Sequence, residues 1–159
     1  MRLGITGHRG LADKLGNQVR EAIRAELFRY SQGELVGVSC IADGPDAWFA
    51  RAVLDLGGRI EVVIPADAYR AGLPEWHHAE YDALLTAAAK VHRTGLAESD
   101  SQAHMAGSEI LVGLVDRLVA VWDGQPARGY GGTADVVAYA HRTGVPVRVL
   151  WPEGATRDT

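Results

Sequence analysis

Cysteine is almost absent. Cys40 is the only one in 159 residues, so no intramolecular disulfide can form, and its place in an apolar run suits a reducing cytoplasm. Also missing is any apolar stretch approaching the ~20 residues of a membrane-spanning helix, so no membrane partner is expected. The opening MRLGITGHRG turns glycine-rich after too few apolar residues for a secretory signal. Nor is there a basic excess. Lysine and arginine number 16 against 20 acidic residues, a net charge of −4, which argues against the broad cationic footprint of a bulk nucleic-acid binder. One charged ligand held locally remains compatible with that balance. What the chain has in quantity is glycine, 19 residues, most of them at joints between periodic segments.

The length suits one domain with a single core, expected over residues 1–152, with a loose tail at 153–159. Short β-branched apolar runs at 2–6, 35–40, 59–64, 91–94, 118–122 and 147–151 read as strands. Most lack polar alternation, as strands buried on both faces of a parallel sheet do. Helical periodicity fills the gaps at 11–30, 47–56, 75–89, 101–115 and 133–142, and 65–74 reads as an irregular excursion. In the first helix Leu15, Val19, Ile23 and Leu27 form one apolar stripe. The βαβ series predicts an α/β fold: a Rossmann-like domain with a mostly parallel open sheet and helices on both faces. In such sheets ligands gather at the carboxyl ends of the strands, so the loops that follow strands should carry the function.

Three of those loops have unusual composition. After strand one, Thr6-Gly7-His8-Arg9-Gly10 combines glycines that permit close backbone approach with a guanidinium fork for phosphate and an imidazole for a sugar or base. After strand two, Asp43-Gly44-Pro45-Asp46 reads as a helix start, with Gly44 as cap and Asp46 in the first turn. Asp43 and Asp46 are also candidates to accept bonds from ribose hydroxyls. After strand five comes Asp123-Gly124-Gln125-Pro126-Ala127-Arg128-Gly129-Tyr130-Gly131-Gly132-Thr133. Glycines there keep side chains away from a helix N-terminus that Thr133 can cap, and free amides plus the helix dipole make an anion site. No Lys-Ser/Thr follows the glycines, so this is not a Walker loop.

Other polar groupings are weaker. His77 and His78 with Tyr81 and Asp82 have metal-like residue types, but no third ligand is nearby and the pattern is not His-Glu-x-x-His, so no metal site is expected. His104 and Ser108 share a helix face, where His104 fits the core edge better than a site. Of the four tryptophans, at 48, 76, 122 and 151, Trp122 and Trp151 end strands and are candidates to stack on a base.

The strand-one turn GITGHRG resembles the Gly-x-Arg turn of the SLOG group of Rossmann-like nucleotide-binding domains. CIADGPDAWFARAVLDLGGRIEVVIP is similar to the DNA-processing protein A branch of that group, with its Ser-Gly-x-Ala-x-Gly-Ile-Asp stretch. Cys40 stands at that branch's Gly, Pro45 at its Ile, and Asp46 at its Asp. VAVWDGQPARGYGGTADVVAYAHRTGVPVRVLWP resembles the last βαβ unit of many SLOG proteins, so the likeness runs over residues 2–152. The resemblance implies a nucleotide or phosphosugar-like ligand, no resident cofactor, and self-association as a homodimer or higher homo-oligomer. Its Lonely Guy phosphoribohydrolases carry Pro-Gly-Gly-x-Gly-Thr-x-x-Glu, and the Glu splits an N-glycosidic bond. Aligned on Thr133, that Glu falls on Val136, while Asp135 comes one residue early, rotated by ~100° on a helix.

The expected ligand-binding set is therefore Gly7, His8, Arg9, Asp43, Gly44, Asp46, Asp123, Gly124, Gly131, Gly132, Thr133 and Asp135, with no assigned catalytic residue. The reading is a nucleotide binder acting as sensor or carrier. The alternative is an N-glycosidase releasing a base from a nucleoside 5′-monophosphate through Asp135 or another cleft carboxylate.

Overall fold

A computed structural model describes residues 1–157. Strands β1 (Arg2–Gly7), β2 (Val36–Ser39), β3 (Arg59–Ile64), β4 (Lys90–Arg93), β5 (Arg117–Val121) and β6 (Val147–Val149) form one sheet in the order β4-β3-β2-β1-β5-β6. Every pairing is parallel. The connecting helices are α1 (Asp13–Phe28), α2 (Pro45–Asp55), a short α3 (Tyr69–Gly72), α4 (His78–Ala87), α5 (Ser101–Gly113) and α6 (Thr133–Arg142). Because parallel crossovers are right-handed, helices change face where the strand order reverses. Accordingly α1, α2 and α4 pack together on one face, while α5 and α6 pack together on the other.

The apolar stripe of α1 lies in the core, with Leu15, Val19, Ile23 and Leu27 all buried. Gly37 of β2 lets α2 sit close, since a Cβ there would meet Val53 Cγ2 at 2.7 Å and the Phe49 ring at 2.9 Å. The irregular excursion contains α3, and the segment expected as one helix from 75 opens with a 3-10 turn, Glu75–His77, before α4. Pro74 precedes that turn and, lacking an N–H, cannot continue a helix from α3.

One ion cluster ties the sheet together across its strands. Glu61 on β3 accepts from Arg2 Nη1 (2.9 Å) and Nη2 (3.0 Å) and lies 2.8 Å from His92 Nε2. The Arg2 bonds, then those of His92, hold the Glu61 carboxyl at about 2, below its ordinary 4.5. A depressed carboxyl stabilises the fold above pH 4.5 and loses that contribution as pH falls toward about 2. Glu61→Gln is therefore expected to cost roughly 1.5–3 kcal/mol at neutral pH. Urea unfolding should show the deficit shrinking toward zero near pH 2. A deficit independent of pH would contradict this origin.

Candidate functional site

The chain leaves β1 toward β2 and later returns to β5 on the other side, so β1 and β5 flank the point where the strand order reverses. A crevice opens there at the carboxyl ends of the strands. It holds a cavity of about 360 Å³ walled by the turn after β1, the loop after β2, the side of α5 and the glycine loop before α6. Gly7, His8, Arg9, Asp46, Gly131, Gly132 and Thr133 all line it.

The register of β1 against β5 builds one wall. Gly7 aligns with Val121, and His8 N–H continues the ladder to the Val121 carbonyl at 3.1 Å. That places His8 beside Asp123, with Nε2 3.1 Å from Oδ1. Arg157, from the turn after β6, puts Nη1 2.7 Å from His8 Nδ1. A guanidinium only donates, so Nδ1 accepts and the ring proton sits on Nε2, directed at Asp123. The Asp123 backbone N–H is also directed at Nε2, 3.1 Å away, so that nitrogen faces both the amide and the carboxylate of the same residue. Burial, then Arg157, lower the His8 pKa against the pull of Asp123. Burial works to raise the Asp123 carboxyl, but the Gln125 amide and His8 outweigh it and hold the group below its ordinary value. Trp151 packs edge-on against the His8 ring at 5.7 Å and donates Nε1–H to the Ala155 carbonyl, so it braces the imidazole outside the cavity lining.

The loop after β2 builds the floor. Arg9 reaches across to Asp43, with Nη2 at 2.6 Å and Nε at 2.9 Å from Oδ1. Asp43 stands behind Arg9 and orients it, outside the cavity lining. Asp46, in the first turn of α2, lines the cavity. Burial pushes its carboxyl up to about 7, against the opposing Ala42 N–H bond and the Arg9 charge. Ile41 sets this geometry by adopting φ 48°, left-handed for a β-branched residue. Such strain costs roughly 1–3 kcal/mol and persists only where neighbours enforce it. Here Ser39 Oγ accepts the Ile41 amide (3.0 Å) and bonds the Asp46 carbonyl (3.0 Å), and buried His77 donates Nε2–H to the Ile41 carbonyl (2.9 Å). His77 is thus a brace for the floor. His78 lies 3.1 Å from the Leu73 carbonyl and Asp82 pairs with Arg70, so this trio of metal-like residues diverges.

The glycine loop forms the roof. Gly131 has φ +84°, and its amide donates to Asp135 Oδ2 at 2.9 Å. Asp135 therefore caps its own loop and does not line the cavity, whereas buried Val136 does. The amides of Asp135 and Val136 turn to the Gly132 carbonyl, so the α6 donors left for a ligand are those of Thr133 and Ala134. Gly44 caps α2 and borders a separate hollow with Trp48, Trp76 and His77. Gly124 (φ +82°) lies outside both, in the turn where Trp122 Nε1 donates to the Gln125 carbonyl.

Several lining residues carry no sequence signal. Tyr69 is buried beneath the floor, with His104 edge-on at 5.7 Å and Ser99 Oγ 2.8 Å from His104 Nε2. Tyr130, exposed on the loop, offers the aromatic surface that Trp122 and Trp151 do not. Among the described lining residues three arginines, Arg9, Arg128 and Arg157, face one carboxyl, Asp46. Asp43 and Asp123, one layer back, pair with Arg9 and Arg157, so the lining is rich in guanidinium donors that a small anion could share.

No family model and no characterised protein sequence matches the chain. Solved structures do. The DNA processing protein A of Streptococcus pneumoniae superposes with a TM-score of 0.69 at 19% identity, over 96% of this chain and 51% of that one. The chain thus spans about half the length of that protein. The DNA processing protein A of Helicobacter pylori, a single-stranded DNA binder, gives 0.70 at 14%, over 99% and 68%. The molybdenum cofactor carrier protein of Chlamydomonas reinhardtii gives 0.55 at 18%, over 93% and 74%. At these identities the likeness is one of fold, and the chain has the SLOG-type Rossmann-like fold that these proteins share.

Proposed function

We propose that the protein binds a nucleotide or nucleotide-like phosphate ester in this cavity, as a sensor or carrier. The observation that carries the reading is the convergence of three arginines and the α6 N-terminus on a cavity of about 360 Å³ at the strand-order reversal. That volume suits a nucleoside monophosphate or sugar phosphate. A carrier role accords with the likeness to a cofactor carrier, and the arginine-rich lining with a phosphate-bearing ligand, as the single-stranded DNA of the other neighbour is. Calorimetry against a panel of nucleoside 5′-monophosphates and phosphosugars tests it. Micromolar to millimolar binding of a phosphorylated member is expected, and a panel silent at millimolar concentration would refute the reading.

One observation favours cleavage as a second reading. Val136 occupies the phosphoribohydrolase Glu position and Asp135 is committed to the Gly131 amide, but Asp46 lines the cavity with its carboxyl held at about 7. A group poised there serves as general acid or base near neutral pH. Release of free base from a nucleoside 5′-monophosphate would establish the reaction, and its absence across the bound ligands would leave binding alone.

A further inference from the structure

We propose that Arg157 recognises the phosphoryl group of the ligand and, in doing so, hands the His8 Nδ1 lone pair to a ligand hydroxyl. This rests on the binding reading above and narrows it to phosphate monoesters that carry a hydroxyl near the phosphate, as sugar phosphates do. Arg157 is 149 residues from His8 in sequence, yet its side chain is only 14% exposed and lines the cavity. Its Nε is buried with no hydrogen bond among the described residues and stands 3.4 Å from Asp123 Oδ2, an ion-pair separation. That carboxylate already receives His8 Nε2–H and the Gln125 amide.

The guanidinium thus spends its short contact on a neutral imidazole nitrogen. A phosphate monoester offers several charged oxygens in a geometry that matches the guanidinium fork, and charge-assisted pairs of this kind are about twice as strong as neutral ones. A phosphoryl group in the cavity therefore outcompetes His8 for Arg157. Once uncovered, Nδ1 remains an acceptor, because Asp123 keeps the ring proton on Nε2. Asp123, Arg128 and Arg157 are the charged groups that act on this ring, and Arg157 contacts Nδ1 directly. The acceptor then pairs with a ligand O–H, so phosphate and hydroxyl are read together.

Calorimetry on the full chain with ribose 5-phosphate and AMP, against ribose and adenosine, tests this. Arg157→Ala should weaken both phosphorylated probes about tenfold or more, the value of one charge-assisted contact. It should not weaken the unphosphorylated probes, and Arg157→Lys should recover part of the loss. Long-range ¹⁵N spectra should show the His8 Nδ1 resonance of the wild type move on adding ribose 5-phosphate but not on adding ribose, and a resonance that stays put with ribose 5-phosphate overturns the hand-over. Unchanged affinity for the phosphorylated probes in Arg157→Ala overturns the inference while the binding reading stands. A wild type that binds neither phosphorylated probe overturns the inference, and one silent across the whole panel of nucleotides and phosphosugars overturns both.

Discussion

Asp46→Asn is expected to make the protein more stable. In the fold the Asp46 carboxyl titrates at about 7 instead of its ordinary 3.8, because burial disfavours the charged form more than the Ala42 amide and Arg9 favour it. Below pH 3.8 the group is protonated folded and unfolded, and it neither adds nor removes stability. As pH rises from 3.8 to about 7 the unfolded chain ionises first, so stability falls, and above 7 the full penalty is present. Asparagine keeps the shape and an acceptor for the Ala42 amide without the charge. It should add roughly 2–4 kcal/mol at pH 8 and remove the decline across that window. Guanidinium unfolding at pH 4 and pH 8 measures both. Equal gains at the two pH values would refute a buried, raised carboxyl. If the site cleaves a glycosidic bond through Asp46, the same variant abolishes base release. If the site only binds, affinity changes little, so one substitution separates the two readings.

Gly131→Ala should strip the cavity of its affinity for phosphorylated ligands. At φ +84° an L-residue is disfavoured by about 1–2 kcal/mol. A Cβ there would also stand 2.9 Å from the Ser101 carbonyl oxygen and 3.5 Å from the Met105 amide, both backbone atoms of α5. Backbone within a packed helix cannot yield as a flexible side chain can. The loop must move instead, and the Gly131 amide leaves Asp135. The first-turn amides of α6 then lose their place over the cavity. A fall in affinity of about tenfold or more is expected, with the far-UV spectrum unchanged. Gly129→Ala supplies the control, since Gly129 lines the same loop but a Cβ there meets nothing within 4 Å. Wild-type affinity in Gly131→Ala would exclude the loop as a phosphate cradle.

Much of this site was legible in short stretches of chain. The turn after β1 and the loop before α6 announce themselves by glycine next to arginine, histidine and threonine at strand ends, and both line the cavity. Asp43 and Asp123 were equally visible, but not that each would turn to a neighbour, Arg9 and His8, and stand one layer back. Asp135 could be read as a ligand contact or a displaced catalytic acid, and only the folded structure shows its oxygen on the Gly131 amide. Tyr69 and Arg157 had no signal at all. Neither belongs to a motif, and each reaches the site through a path that no local pattern encodes.

The sequence by itself determined the α/β class and the parallel sheet, and it pointed to the strand-end loops as the candidate edge. Those follow from hydrophobic period and glycine placement, which act within about ten to twenty residues. The tertiary structure alone decided which charges meet. Titration of Asp46, the tautomer of His8 and the partner of Arg157 depend on burial and on atoms within hydrogen-bond reach, and these are set by packing between segments up to 149 residues apart.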